Sequence, residues 1–209
     1  MKRRTEGLRD RAVAAALKLL AEDGSIGLTA RNVAREAAAS TPAVYELFGD
    51  KGGLIREVFF EGFRMLRTAL EEVERTDDPV HDLKALAFAH RSFAQQYPAL
   101  ADVMFSRPFA DFDPASAEAE GGVVARRLVV NAVQRAVDDR CLSGDPKDVA
   151  HVFVATVQGL SAAERSRRLG RSKASVDRRW DLGINAVLRG LAPSLDRSTA
   201  SSGSPSEHR

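Results

Sequence analysis

Apolar residues recur at steps of three and four along almost the whole chain, which is the period of an amphipathic α-helix. The stretch over about 5–23 is the first example, since Leu8, Val13, Leu17 and Leu20 lie on one face of it. β-Branched residues never alternate with polar ones for long, as they would in half-buried strands. The pattern therefore predicts an all-α protein of about nine helices.

Capping residues mark where most of these helices begin. Thr29 and Ser40 each precede a short apolar pattern, and hydroxyl side chains are favoured as N-caps. Three Asp-Pro pairs later in the chain each supply a capping carboxylate and then a proline that the first helical turn tolerates. We predict helices over about 5–23, 29–37, 41–48, 51–75, 79–96, 98–106, 114–141, 145–169 and 172–191.

The same pattern divides the chain into three parts. Residues 1–51 contain the short helices and form a predicted N-terminal domain, which starts with a basic arm over 1–7. Residues 52–193 contain the longer helices and form a predicted helical bundle. The segment 194–209 is rich in Ser, Thr, Gly and Pro and almost without apolar side chains, so we predict that it is disordered.

Composition narrows the class of protein. The 31 Lys and Arg residues stand against 29 Asp and Glu, so the net charge of +2 excludes a polybasic chain but not a basic patch. The single cysteine, Cys141, cannot form an intramolecular disulfide, which suits a reducing compartment. No apolar run approaches the ~18 residues of a membrane span, and the N-terminus lacks the apolar core of a signal peptide. We expect a cytoplasmic protein without a membrane partner.

Residues 8–58 hold the pattern that indicates a function. Two short helices joined by a tight turn, with a helix before them, make a helix-turn-helix unit, whose second short helix enters the DNA major groove. The outward side of that helix needs small or polar groups so that it can approach the base edges. Its N-terminal end meets this requirement with Ser40, Thr41, Pro42 and Ala43. The expected buried anchors are Val44, Leu47 and Phe48.

The order and spacing of these residues resemble a known family. An Ala- and Leu-rich run over 14–24 is followed by Leu28-Thr29, Val33-Ala34 and the segment 40–48. Residues 11–59 thereby resemble the DNA-binding domain of the TetR family of one-component transcriptional regulators. The Tyr-x-x-Phe-x-x-Lys spacing from Tyr45 to Lys51 is specific in this context.

The resemblance implies roles for individual residues. Phosphate contacts would come from Thr29, Arg31 and Lys51, and Thr41, Pro42, Ala43 and Tyr45 would face the groove. Lys2, Arg3 and Arg4 in the basic arm would reach the minor groove or phosphates. The family usually has Gly then Val in the turn, where this chain has Ala38 and Ala39. Alanine adopts the left-handed conformation of a turn glycine only at a cost.

For residues 52–193 the resemblance implies effector binding and homodimerisation through the last two long helices. Two-fold symmetry is what a pseudo-palindromic operator requires. The apolar stripes of these helices could also pack into their own domain, and one face of each is expected to do so. The predicted interface residues are Val149, Val152, Phe153, Thr156, Val157, Leu160, Trp180, Ile184, Val187, Leu188 and Leu191.

A pocket for a small apolar effector is predicted between the helices of this bundle. Ligand sites of that kind are mostly apolar with a few polar groups. Aromatic and Met side chains at helical spacing are more often plain core, and that alternative stays open. The segment 93–105 resembles one TetR subgroup that tends to carry His-Gly where this chain has Gln158-Gly159. The predicted pocket residues are Phe59, Phe63, Phe88, His90, Phe93, Tyr97, Met104, Phe105, Phe109 and Gln158.

These inferences lead to a regulator that binds a DNA operator as a homodimer and is released by an effector, with repressor preferred over activator. No metal-ligand spacing, phosphate loop or nucleophilic serine motif is present, so we expect no catalytic site, metal or cofactor. Two alternatives remain open at this point. One is a helix-turn-helix adaptor that binds only protein, and the other is a small helical enzyme.

Overall fold

The computed structural model describes the backbone of residues 2–106 and 114–193 and the side chains of residues 7–106 and 122–193. Regular structure in these ranges is entirely helical. The predicted tail 194–209, Phe109 and the side chains of Lys2, Arg3 and Arg4 lie outside the described residues. The helices are α1 (Lys2–Gly27), α2 (Ala30–Glu36), α3 (Thr41–Phe48), α4 (Lys51–Glu71), α5 (Pro79–Gln96), α6 (Pro98–Phe105), α7 (Pro114–Asp138), α8 (Pro146–Arg165) and α9 (Lys173–Gly190).

The all-α prediction is confirmed, and the capping residues begin the helices where expected. The Thr29 and Ser40 hydroxyls accept hydrogen bonds from the amides of Asn32 and Ala43, at 3.2 and 3.3 Å. The Asp78 and Asp145 carboxylates cap α5 and α8 in the same way. α1 differs from the prediction, because it begins at Lys2 and continues past a kink at Gly24 to Gly27.

Three helices end on a left-handed residue that is not glycine. Ala38, Arg140 and Arg167 have φ of 50°, 57° and 58° after α2, α7 and α8. In each case the next amide bonds back to the carbonyl five residues before it, as from Ala39 to Ala34 at 2.8 Å. This closure ends α7 at Asp138 and α8 at Arg165, which is earlier than the predicted 141 and 169.

One continuous apolar core joins the two halves of the molecule. α1, α2 and α3 bury Leu20, Val33 and Val44 between them, and α4 runs from this unit into the bundle of α5 to α9. α7 packs against α4, α5 and α8, and α6 packs against α1. α4 therefore belongs to both halves of the molecule.

A buried polar cluster fixes α5, α8 and α9 to one another. The Arg91 guanidinium on α5 donates to Glu164 on α8 at 2.8 and 2.9 Å, and the Trp180 indole on α9 donates to the same carboxylate at 2.6 Å. These donors hold the pKa of Glu164 below its usual value, against the effect of its burial. The carboxylate therefore stays ionised between its partners.

No described helix is long and apolar enough to span a bilayer.

Candidate nucleic-acid interface and ligand cavity

The second helix of the helix-turn-helix presents a small, uncharged surface at its N-terminal end. Val44 and Phe48 are buried and Leu47 is half-buried, so they anchor α3 to the unit as predicted. Ser40 and Pro42 are exposed, Thr41 and Ala43 are half-buried, and the Tyr45 side chain is 50% exposed. A surface of this kind permits close approach to a groove floor, with Tyr45 as an exposed aromatic side chain.

The predicted phosphate-contacting residues stand at helix N-termini beside this surface. Thr29 caps α2, Arg31 is exposed in its first turn, and Lys51 is exposed in the first turn of α4. Helix N-termini carry unpaired amides and partial positive charge, which favour phosphate. Glu46 is also exposed on α3, so the surface is not uniformly basic.

Arg9, which closely follows the predicted basic arm, contacts the helix-turn-helix unit itself. Its guanidinium donates to the Leu47 carbonyl at 3.3 Å, pairs with Glu57 at 3.3 Å and lies 5.7 Å from the centre of the Phe48 ring. Arg9 therefore joins α1 to α3 and α4. No local signal distinguishes it from the arginines nearby, because its hydrogen-bond partner on α3 lies 38 residues away.

A cavity of about 230 Å³ lies between α4, α6, α7 and α8, with His90 of α5 in its wall. Of the predicted pocket residues, Phe63, His90, Phe105 and Gln158 line this cavity. Sequence reasoning missed the α7 wall, which consists of Gly122, Ala125, Arg126 and Val129. It also missed the lining residues of α4 and α8, which are Leu66, Leu70, Ala150, His151, Val154 and Ala155.

The other predicted pocket residues that the structure describes do not line this cavity. Phe88 packs on Trp180 at 6.1 Å between ring centres, and Phe93 and Tyr97 line a separate groove beside α4. Phe59 is fully buried, and Met104 packs under Gly62, where a Cβ would come within 2.6 Å of its sulfur. Helical spacing alone could not separate these core positions from cavity positions, because both are apolar and face inward.

His90 is the unusual side chain of the cavity. It is 8% exposed, its ring lies 5.3 Å from that of Phe105, and neither ring nitrogen has a hydrogen-bond partner among the described residues. Burial lowers the pKa of His90 to about 4, and the charge of Arg165 acts in the same direction. The imidazole is therefore neutral at physiological pH, with one donor and one acceptor nitrogen.

Part of the predicted dimer interface is already buried within the chain itself. Trp180 is 0% exposed, since it turns toward α5 and contacts Phe88, Arg91 and Glu164. Five other predicted interface residues are also buried in the subunit and are not available to a partner: Val149, Phe153, Val157, Ile184 and Leu188. The remaining five are exposed or half-buried: Val152, Thr156, Leu160, Val187 and Leu191.

Two family models match the chain. Residues 83–187, about half of the chain, match the tetracyclin repressor-like C-terminal domain, and residues 12–58 match the bacterial regulatory proteins of the tetR family. The chain belongs to the TetR family. This TetR family member is therefore a transcriptional regulator with an N-terminal helix-turn-helix and a C-terminal ligand-binding domain.

Solved structures agree with this assignment. A protein with unknown function from Rhodococcus sp. RHA1 is 31% identical, with a TM-score of 0.75 over 89% of this chain and 96% of that one. The TetR family transcriptional regulator PfmR from Thermus thermophilus is 18% identical, with a TM-score of 0.62 over 89% and 98%. A single-residue variant of TetR from Acinetobacter baumannii AYE, in complex with minocycline, is 20% identical, with a TM-score of 0.63 over 86% and 93%. The comparison with curated protein sequences found no match.

Proposed function

We propose that this TetR family regulator is a homodimeric repressor that binds a pseudo-palindromic operator and releases it when a small molecule occupies the cavity. The observation that carries the proposal is the exposed face of α3 with Pro42 and Tyr45, together with the exposed Arg31 and Lys51 in the first turns of α2 and α4. That arrangement offers base-edge contacts flanked by phosphate contacts, which is how helix-turn-helix proteins read a major groove.

Dimerisation is supported by the outer face of α8 and α9. Val152 on α8 is 49% exposed and Leu182 on α9 is 70% exposed. The two helices are packed tightly, because a Cβ on Gly183 would come within 3.0 Å of Leu160. Both of these packed helices carry exposed apolar side chains, which a second copy would cover, and the pair would have the two-fold symmetry that successive half-sites require.

Coupling between ligand and DNA is supported by the course of α4. This helix begins at Lys51, directly after α3, and lines the cavity with Phe63, Leu66 and Leu70. A ligand that fits best when α4 is displaced would favour a dimer whose recognition helices no longer match grooves ~34–36 Å apart. The ligand must bind that state more tightly than the DNA-competent state, or it cannot shift the equilibrium.

The test is a fluorescence-anisotropy titration with labelled duplexes at two salt concentrations. One duplex carries the intergenic DNA beside the gene of this protein, and the other carries the same bases scrambled. We expect the first to bind at least ~10³-fold more tightly, as specific sites do. Equal and salt-sensitive binding to both would contradict an operator in that DNA. No binding at either salt would favour the protein-binding adaptor, which the exposed Glu46 on α3 would suit.

A further inference from the structure

The cavity contains a buried polar side chain that has no hydrogen-bond partner within the described residues. His90 reaches the cavity wall from α5, and both of its ring nitrogens lack a hydrogen bond within the described part of the chain. Buried polar groups in proteins are almost always hydrogen-bonded, so each exception needs an explanation. The position of His90 in the cavity wall suggests one explanation, namely that a bound molecule supplies the missing partner.

The size of the cavity limits what that molecule can be. An engineered cavity of ~150 Å³ with apolar walls binds benzene, and this cavity is larger, at about 230 Å³. Its walls are apolar near Phe63, Leu66 and Val129, and the ring of Phe105 stands beside His90. The space therefore suits one ring with a short substituent.

The polar side chains of the lining decide the character of the substituent. Arg126 and Gln158 line the cavity with His151, whose Nδ1 is engaged with the Lys147 carbonyl at 2.7 Å, and the lining contains no carboxylate among its described residues. A guanidinium, an amide and a neutral imidazole all offer donors to an oxygen. Among the described lining residues, an ammonium group would meet the charge of Arg126, and that contact is repulsive.

We propose that the effector is a single-ring molecule with an oxygen substituent, a phenol or an aromatic carboxylate, whose oxygen hydrogen-bonds to His90 while its ring packs against Phe63 and Phe105. This inference rests on the proposed function, which assigns the cavity to the effector. It adds the ligand class and names the side chain that selects it. The selection works because an apolar ring of the same size leaves the imidazole unpaired.

The first experiment compares four probes of similar size with the full-length protein in the absence of DNA. Phenol, benzoate, toluene and benzylamine are titrated by calorimetry, and each is also tested for stabilisation against heat. We expect phenol or benzoate to bind at least about tenfold more tightly than toluene, and benzylamine to bind no more tightly than toluene. The inference is overturned if toluene or benzylamine matches the better of the oxygen-bearing probes, or if none of the four binds.

The second experiment changes the imidazole. His90→Leu should keep the affinity for toluene and lose the preference for the oxygen-bearing probe, whereas His90→Gln should retain part of that preference, because the amide can donate and accept. His81→Leu is the matched control, since His81 lies on the same helix and is exposed. An unchanged preference in both His90 variants would overturn the assignment. If His90→Leu fails to fold, His90→Gln and the order of the four probes on the unmodified protein decide the question.

The two levels of the proposal fail separately. A protein that binds its operator but shows no preference for an oxygen substituent overturns the ligand class alone. A protein that shows the preference but binds no specific DNA overturns the proposed function alone.

Discussion

Individual side chains in this regulator have roles that their residue type does not indicate. His90 is neutral and has no hydrogen-bond partner among the described residues, Ala38 holds a backbone conformation that glycine usually takes, and Tyr45 is an exposed aromatic side chain of the recognition helix. Each of these residues leads to a prediction that one substitution can check.

Burial of His90 makes stability depend on pH. The pKa of His90 is about 4 in the folded protein and ~6.5 in the unfolded chain. Above pH ~6.5 the imidazole is neutral in both states, so its burial costs no stability through protonation. Between pH ~6.5 and ~4 only the unfolded chain gains the proton, and the free energy of unfolding falls by about 3 kcal/mol. Urea titrations at pH 7.5, 6 and 5 measure this loss.

His90→Gln should remove most of the loss, because the amide does not titrate. The pKa values of Asp82 and Glu164 are lowered in the folded protein, so these carboxylates affect the free energy of unfolding at more acidic pH. Their effects therefore lie below the upper part of the pH range in which His90 acts. Equal pH dependence in the variant and the unmodified protein would contradict the assignment of the loss to His90.

The left-handed conformation of Ala38 predicts that glycine is better there. Its φ of 50° strains an alanine by ~1–2 kcal/mol, and the extra freedom of glycine in the unfolded chain offsets part of the gain. Ala38→Gly should therefore raise the free energy of unfolding by about 0.5–1 kcal/mol in urea. Ala37→Gly is the control: Ala37 has φ of −79° and is buried, so it should lose stability instead. A loss at both positions would contradict the strain argument.

Tyr45 and Arg31 should affect DNA binding in different ways. Tyr45→Ala should weaken operator binding by at least about tenfold and relax specificity. The variant should still fold, because a side chain that is 50% exposed contributes little to the stability of the protein. Arg31→Ala should weaken binding to all sequences alike and lower the salt slope by about one. Anisotropy with operator and scrambled duplexes separates the two. Arg178→Ala, an exposed arginine on α9, should change neither, and an effect there as large as at Arg31 would argue against a localised DNA face.

At the level of elements, the joint between α3 and α4 sets the position of the recognition helix. Gly49 turns the chain with φ of 78°, and the Asp50 carboxylate accepts from the amide of Gly53 at 2.8 Å. α4 thus starts directly against the end of α3, and Arg9 ties both to α1. In the proposed function, this joint would carry a shift of α4 to the DNA-facing surface.

Gly53→Ala tests the joint. A Cβ at residue 53 would lie 1.8 Å from the Phe48 carbonyl oxygen, which is backbone and cannot swing away. We expect the free energy of unfolding to fall by ~1–3 kcal/mol and operator affinity to fall with it, as α3 is pushed from α4. Gly190→Ala is the control, because a Cβ there meets nothing within 4 Å. Thermal unfolding and anisotropy are the measurements, and equal behaviour of the two variants would refute a tight joint.

The whole molecule functions in our proposal only as a pair. One copy reads one half-site, and the affinity of an operator depends on two recognition helices held at a fixed separation. In this proposal, the outer face of α8 and α9 is therefore as important for DNA binding as α3 itself.

Leu182→Lys tests the pair. Leu182 is 70% exposed on α9, and a lysine there would place a charge in the proposed interface. Light scattering should show the mass fall from twice 22.7 kDa toward 22.7 kDa, with a parallel loss of operator affinity. Ile26→Lys is the control, since Ile26 is 89% exposed near the end of α1 and should leave the dimer intact. A dimer that survives both Leu182→Lys and the double change with Val152→Lys would exclude this face.

The sequence alone determined the helices and, apart from α1, their starting points. An N-cap contact spans two or three residues, as from Asp145 to Lys147 or from Ser40 to Ala43, so its signal is complete within a short window. The helix-turn-helix could be predicted for the same reason, because the spacing of its caps, anchors and turn is local.

Only the tertiary structure decided what each apolar face contacts. Trp180 was predicted at a subunit interface and lies instead over Arg91, and Phe88 was predicted in a pocket and packs on Trp180. Glu164, which accepts from both Arg91 and Trp180, is 73 residues from the first of them along the chain. An apolar stripe predicts that a face is buried. Which element it packs against depends on contacts between distant segments, and no local pattern contains that information.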